Sequence, residues 1–253
     1  MLEKIVNIVK AAGEIYKSAG KDKGVTEKGS AVNLVTLYDK KIQDFLEGEL
    51  LKLIPDASFF DEEGESNSLT DGYCFIIDPI DGTTNFVKDF QHSAISVALA
   101  YNKEVIIGVV LDADLDNLFC AEKGKGAFLN GERISVSDCD MAHSLVLFGT
   151  CPYEHELAHR TFEVTEEIFY RAIEVRRGGS AALDICYVAA GKADLYYELI
   201  LRPWDWAAGY LILKEAGGVA YTCDGNALDA GKVDSFLCGN KKNIEEFYEI
   251  YKS

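Results

Sequence analysis

One segment constrains this chain more than any other: Tyr73-Cys74-Phe75-Ile76-Ile77-Asp78-Pro79-Ile80-Asp81-Gly82-Thr83-Thr84-Asn85-Phe86. Its apolar run reads as a buried strand that ends abruptly on Asp78. Pro79 has no N–H to give a ladder, so the strand is expected to stop there. Asp81 follows, then Gly82 and two threonines that could open a helix. Two carboxylates at the end of a buried strand repel each other unless a cation sits between them. The Gly82 and Thr83 N–H groups, at a helix start, would point at an anion. Hard oxygen ligands and an adjacent phosphate seat therefore share one short stretch. All-oxygen ligation suits Mg²⁺, Mn²⁺ or Ca²⁺ better than Zn²⁺. The spacing alone fits equally well a plain turn with an Asx cap at Asp81.

Two further acidic groups stand out. Asp61-Glu62-Glu63-Gly64-Glu65 reads either as a solvated loop or as part of a cation site. Asp205 lies between Trp204 and Trp206, the two tryptophans of the chain. It is a plausible helix N-cap, yet its aromatic flanks favour burial, and a buried carboxylate needs a partner. Acidity pervades the chain: 42 Asp and Glu oppose 25 Lys and Arg over 253 residues, a net charge of −17. Such a polyanion is a poor partner for nucleic acid or for an acidic membrane surface. An anionic substrate would need something cationic to stand between it and the protein.

The hydrophobic pattern organises the rest. Leu2, Ile5, Val6, Val9, Ala12 and Tyr16 recur at helical spacing, predicting a helix over 2–18, and a second is expected over 39–53, before Pro55. Strands are expected at 58–60, 73–78, 93–101, 105–111 and 117–121, which suggests α+β structure around an antiparallel sheet. Beyond about residue 143 the rhythm changes to strand–helix alternation. Strands at 145–148, 173–175, 195–198, 219–221 and 236–238 alternate with helices at 154–171, 181–191, 205–216 and 241–251. The expected organisation is two packed lobes, residues 1–142 and 143–253. The mixed N-terminal pattern predicts no signal peptide, and no apolar run is long enough to span a membrane. Seven dispersed cysteines without a CxxC pair read as buried small hydrophobes in a reducing cytosol.

With these residues laid out, the chain resembles the inositol monophosphatase family, and especially its bacterial members. Asp78-Pro79-Ile80-Asp81-Gly82-Thr83-Thr84-Asn85-Phe86 matches the family's first signature. Trp204-Asp205, Ala207-Ala208-Gly209 and Glu215-Ala216-Gly217-Gly218 match the C-terminal one. Between them, Lys123-Gly124-Lys125-Gly126-Ala127-Phe128 and Gly179-Ser180-Ala181-Ala182-Leu183-Asp184 also fit, and Asn33-Leu34-Val35-Thr36 with Asp39 fits upstream. The similarity spans nearly the whole chain, in order.

The resemblance implies a layered αβαβα sandwich, a mixed α/β fold of the inositol monophosphatase and fructose-1,6-bisphosphatase type. It implies metal ligation by Glu62, Asp78, Asp81 and Asp205 with the Ile80 carbonyl. Thr83 would orient the attacking water together with Glu62, and Asp39 would lie near that water and a further metal. The Gly82 and Thr83 N–H groups would hold phosphate. Asp81, Gly179, Ser180, Ala181, Glu198 and Asp205 would meet the sugar or inositol hydroxyls. The acidic loop departs slightly from the family pattern, with Asp61 before Glu62-Glu63 and Gly64 in place of serine. The implied enzyme is a cytoplasmic, homodimeric, Mg²⁺-dependent and Li⁺-inhibited phosphomonoesterase using two or three Mg²⁺, with Mn²⁺ as a substitute. Its first expected substrate is myo-inositol 1-phosphate. Fructose 1,6-bisphosphate, histidinol phosphate and 3′-phosphoadenosine 5′-phosphate are alternatives, and Arg202 could serve a second anionic group.

Other motifs compete with that reading. His155-Glu156-Leu157-Ala158-His159 is a literal HExxH, the pattern of zinc peptidases, set among charged neighbours as on an exposed helix face. Asp112, Asp114 and Asp116 imitate an EF-hand, but Asn117 and Lys123 stand where Gly and Glu belong, so a hairpin turn is expected. Lys28 falls in a loop that approaches the active site in the resembled family, and reads equally as a solvated lysine. A non-catalytic cation-binding protein on the same fold is a further alternative, against which the intact Thr83 argues.

Overall fold

The computed structural model describes residues 1–27, 34–62 and 69–252. Lys28, Asn33, Glu63, Gly64 and Glu65, singled out above, lie outside the described residues. Five layers stack, and the side-chain alternation of the strands dictates them. Helices α1 (Leu2–Lys17) and α2 (Leu37–Leu53) form the first layer. They bury Ile5, Val9, Ile42 and Leu46 against one face of a seven-stranded sheet. That sheet comprises β3 (Ser58–Asp61), β4 (Tyr73–Asp81), β5 (Ala94–Tyr101), β6 (Glu104–Asp112), β7 (Asn117–Glu122), β8 (Ala127–Leu129) and β9 (Glu132–Arg133), in that spatial order. A small ladder of β1 (Thr26–Glu27) and β2 (Leu34–Val35) precedes α2.

On β4, Phe75 and Ile77 face α1 and α2, while Cys74 and Ile76 face the opposite core. There lie α5 (Ala181–Ala189) and α6 (Pro203–Glu215), apolar on nearly every side because both of their flanks are covered. A five-stranded sheet covers them in turn, ordered β11 (Glu174–Arg176), β10 (Leu145–Phe148), β12 (Leu195–Leu201), β14 (Asp234–Gly239), β13 (Val219–Tyr221). Tyr196, Phe236 and Cys238 point inward to the helices. Leu195, Tyr197 and Leu237 point outward to α4 (Ala158–Phe169) and α7 (Lys241–Tyr251), the last layer. This is the expected αβαβα sandwich. No described helix is long and apolar enough to cross a membrane.

Several local expectations are corrected. Pro79 does not end its strand: β4 runs on to Asp81, with a register shift against β5 between Asp78 and Asp81. A bulge is where a strand tolerates proline. The first sheet is not purely antiparallel, since β3 pairs parallel to β4. The sheet built beyond residue 143 is mixed: β10 pairs parallel with β11 and β12, but β14 runs antiparallel to β12 and β13. Helix α2 starts two residues early, because Thr36 and Asp39 form a reciprocal capping box. Close approach needs glycine at Gly108 on β6, where a Cβ would lie 2.5 Å from the Ala208 carbonyl oxygen of α6.

Candidate active site

The carboxyl end of β4 opens into a cleft of about 730 Å³ between the two sheets. Its walls include Glu62, Asp78, Ile80, Asp81, Gly82 and Thr83 from the first sheet's side. Gly179, Ser180, Ala181, Glu198, Arg202 and Asp205 face them from the other. Asp39 stands behind Thr83, whose hydroxyl lies 3.4 Å from the Asp39 carboxylate and donates to the Ile80 carbonyl at 3.1 Å. The sequence-predicted residues thus converge on one place, although nearly 170 positions separate Asp39 from Asp205.

Local backbone devices aim each carboxylate. Asp78 accepts the Ile80 N–H at 3.0 Å, so the Asx turn forms at Asp78 and not at Asp81. Asp81 accepts the Ser180 hydroxyl at 2.5 Å and the Ala182 N–H at 2.7 Å, which ties the end of β4 to the start of α5. Asp205 is not the N-cap of α6. Pro203 opens that helix, and Asp205, at its third position, reaches back to accept the Arg202 N–H at 2.7 Å. Each bond engages one carboxylate oxygen and leaves the other outside it. Gly82 has φ of +87° at the start of the five-residue α3 (Thr83–Val87), a conformation suited to glycine. Its Cβ position lies 2.9 Å from the Gly179 carbonyl oxygen.

Electrostatically the cleft is frustrated. Burial, and then the charges of Glu62, Asp81, Asp205 and Asp39, push Asp78 well above the usual carboxylate range. Burial and Asp81 do the same to Asp205, against the Arg202 N–H bond. Burial raises Asp81 to about 6, although the Ser180 and Ala182 bonds oppose it. Glu198 rises to about 7 by burial, resisted by the Tyr196 hydroxyl at 2.7 Å and by the Arg177 charge. Among the described residues, no three His, Cys, Asp or Glu side chains already form a cage able to hold a metal ion. The donors are nonetheless hard oxygens, brought together in a buried setting that disfavours their charge, as a divalent cation requires.

Sequence reasoning missed several groups here. Arg177 and Lys88 join Arg202 at the cleft wall. Arg177 immediately precedes the glycine pair Gly178-Gly179, and that adjacency was the available signal. His92 Nε2 lies 3.0 Å from an Asp184 carboxylate oxygen. Burial lowers the His92 pKa, but the Asp184 hydrogen bond and the charges of Asp184, Asp81 and Asp112 raise it further, for a net rise. Asn85 donates to the carbonyls of His92, at 2.7 Å, and Gly178, at 3.0 Å, pinning α3 to the loop before α5.

The competing motifs fare differently. His155 lies in a 3-10 turn over His155–Leu157 and His159 near the start of α4, both exposed, so the HExxH does not occupy one continuous α-helix. Asp112 ends β6 and accepts the Leu115 N–H at 3.0 Å inside the hairpin to β7, a turn as expected.

The inositol monophosphatase family model matches residues 1–252. The chain is 37% identical to an inositol-1-monophosphatase of Rhizobium meliloti, over 96% of this chain and 94% of that protein. Among solved structures it resembles the extragenic suppressor protein suhB of Bartonella henselae, with a TM-score of 0.90 and 30% identity over 99% and 98% of the two chains. It also resembles the IMPase of Thermotoga maritima, with a TM-score of 0.87 and 32% identity over 98% and 94%. On the sequence match across its whole length and on its five-layered fold, this chain belongs to the inositol monophosphatase family and is a phosphatase.

Proposed function

We propose that the protein is a Mg²⁺-dependent phosphomonoesterase acting on a small sugar or inositol phosphate, with myo-inositol 1-phosphate as its first substrate. One observation carries the proposal: Asp78, Asp81 and Asp205 share a cleft with Glu62 in which burial and mutual repulsion hold all three aspartates above their ordinary range. A divalent cation resolves that conflict, and a phosphate dianion then has a seat. Glu62, Asp78, Asp81, Asp205 and the Ile80 carbonyl would hold two or three Mg²⁺, or Mn²⁺ in their place. Bound there, the ions would neutralise the ester dianion, acidify a water and stabilise the departing alkoxide.

The chain's own groups supply position. Thr83, held between Asp39 and Ile80, orients the attacking water together with Glu62. The Gly82 and Thr83 N–H groups, without intrahelical acceptors in the first turn of α3, face the phosphate oxygens. Asp81, Gly179, Ser180, Ala181, Glu198 and Asp205 meet the substrate hydroxyls. Arg177, Arg202 and Lys88 attract the anion to the rim. Residues 1–142 and 143–253 act as two lobes closing on the cleft, a division supported by two sheets that share no strand. A cytoplasmic homodimer belongs to the same proposal. Phe162, Phe169, Tyr170 and Ile173, exposed on and just after α4, favour association.

The test is phosphate release from myo-inositol 1-phosphate, fructose 1,6-bisphosphate, histidinol phosphate and 3′-phosphoadenosine 5′-phosphate, with Mg²⁺ and with added Li⁺. Inositol 1-phosphate should be hydrolysed fastest, with inhibition by Li⁺. Failure to hydrolyse any of the four would sink the proposal. The pair Arg177 and Arg202 favours one second reading, a bisphosphate substrate, and faster release from fructose 1,6-bisphosphate would establish it.

A further inference from the structure

A second cavity, of about 370 Å³, shares no lining residue with the catalytic cleft. Helix α6 separates the two. Its first turn gives Trp204 and Asp205 to the cleft, whereas Trp206, Tyr210 and Lys214 line the cavity. The aromatic wall is angular: the Trp206 and Tyr210 rings meet edge to face, 5.8 Å apart at 84°. Val105, Leu211, Leu228 and Ala230 complete an apolar floor.

The rim carries three lysines, on a chain of net charge −17. Lys103, Lys123 and Lys214 stand against two glutamates, Glu104 and Glu215. Both acids are engaged. Glu104 pairs with Lys123 at 2.6 Å. The two Glu215 oxygens accept the Gly124 and Gly126 N–H groups at 2.7 and 2.8 Å. Lys214 leans over the Tyr210 ring, 5.7 Å from its centroid. Lys103 has a long, exposed contact to Asp71 at 3.7 Å and also feels Asp229. Such exposed pairs hold a lysine weakly. Lys214 also feels Glu104, which Lys123 already pairs. Lys103 and Lys214 can therefore turn to an incoming negative charge, beside aromatic faces able to take a ring.

We propose that this cavity binds a small aromatic anion, one or two rings carrying a sulfonate, carboxylate or phosphate. The ring lies against Trp206 and Tyr210, and the anionic group meets Lys103 and Lys214. The volume lies within the range of roughly 300–1,000 Å³ usual for small-molecule sites. The inference stands apart from the catalytic proposal, because its test reads binding and not turnover.

The probe is 8-anilinonaphthalene-1-sulfonate, titrated into the full chain carrying Trp204→Phe, so that Trp206 is the remaining tryptophan. Saturable one-to-one binding with energy transfer from Trp206 is expected. Lys103→Glu with Lys214→Glu, both at exposed positions, should weaken binding by more than about tenfold. Ala230→Phe should block it by filling the floor, with circular dichroism confirming the fold. The uncharged N-phenyl-1-naphthylamine should bind more than about tenfold more weakly. Binding that is not saturable, that survives both the lysine and the Ala230 changes, or that is lost in Arg177→Glu at the catalytic cleft would overturn the proposal. Equal affinity for the uncharged ring would overturn it as well.

Discussion

The Asp81 carboxylate accepts the Ser180 hydroxyl at 2.5 Å across 99 residues of sequence. That bond joins the last residue of a strand in the seven-stranded sheet to the N-cap of α5, the helix that packs between both sheets. Asp81 is thereby presented to the cleft by two elements at once. Its placement depends on the packing of the two sheets and not only on its own strand.

Ser180→Ala removes this bond and the Leu183 N–H cap in one step. The expected cost is about 2–5 kcal/mol of stability, the sum of a lost N-cap and a charge-assisted hydrogen bond. Urea unfolding measures it. Phosphatase activity should fall about tenfold or more, the scale of an outer-shell loss at a metal site. An unaltered midpoint would show that the bond does not hold the sheets in register.

Asp78→Asn should move stability and activity in opposite directions. Burial and four neighbouring carboxylates oppose the Asp78 charge. Removing it should stabilise the metal-free protein near pH 8, where the folded state otherwise holds a charge that its surroundings oppose. Activity should be lost. Thermal melts in chelator, beside assays in Mg²⁺, test both halves, and a destabilised variant would contradict the electrostatic account.

The pH dependence of the metal-free protein follows from Glu198 and Asp81. Their folded pKa values, about 7 and about 6, lie above the ordinary values of 4.5 and 3.8. The folded state therefore binds protons more tightly than the unfolded one, and stability falls as pH rises. The contribution is complete below the unfolded values and is lost by the time pH passes about 7. His92, also raised, acts in the same direction. Melting in chelator should decline by about 1–3 kcal/mol in equivalent stability between pH 5.5 and 8. Mg²⁺ should offset most of that decline. Stability that rises over this interval without metal would refute the buried-carboxylate account.

Gly82→Ala should be damaging although it adds one methyl group. The residue needs φ of +87°, and its Cβ would lie 2.9 Å from the Gly179 carbonyl oxygen and 3.1 Å from that of His92. A loss of about 1–3 kcal/mol is expected from strain of this kind. Phosphatase activity should fall with it, because the turn sets the Thr83 hydroxyl. Denaturant unfolding and turnover, measured together, check both.

The sequence pattern carried most of the helices and strands, because strand alternation and helical periodicity report directly on which faces are covered, and the layer order came from the family resemblance. It was silent where long-range pairing decides. Pro79 looked like a terminator, yet β4 continues past it through a bulge whose existence depends on its β5 partner. The N-cap position proposed for Asp205 was wrong by three residues, because Pro203 is compatible with the first turn and so opens the helix earlier. The site carboxylates were legible through the motif resemblance. Arg177 and His92, and the role of Asp184 as the partner of His92, were not, since each matters through neighbours remote in the chain. His92, for example, meets Asp184 across 92 residues.

The most direct test of the central claim is inorganic phosphate released from myo-inositol 1-phosphate by chelator-stripped protein as Mg²⁺ is titrated back, with Asp78→Asn alongside. The account predicts no release without metal, saturable recovery with Mg²⁺, and no recovery in the variant. Full release in chelator, or equal recovery by Asp78→Asn, would contradict it.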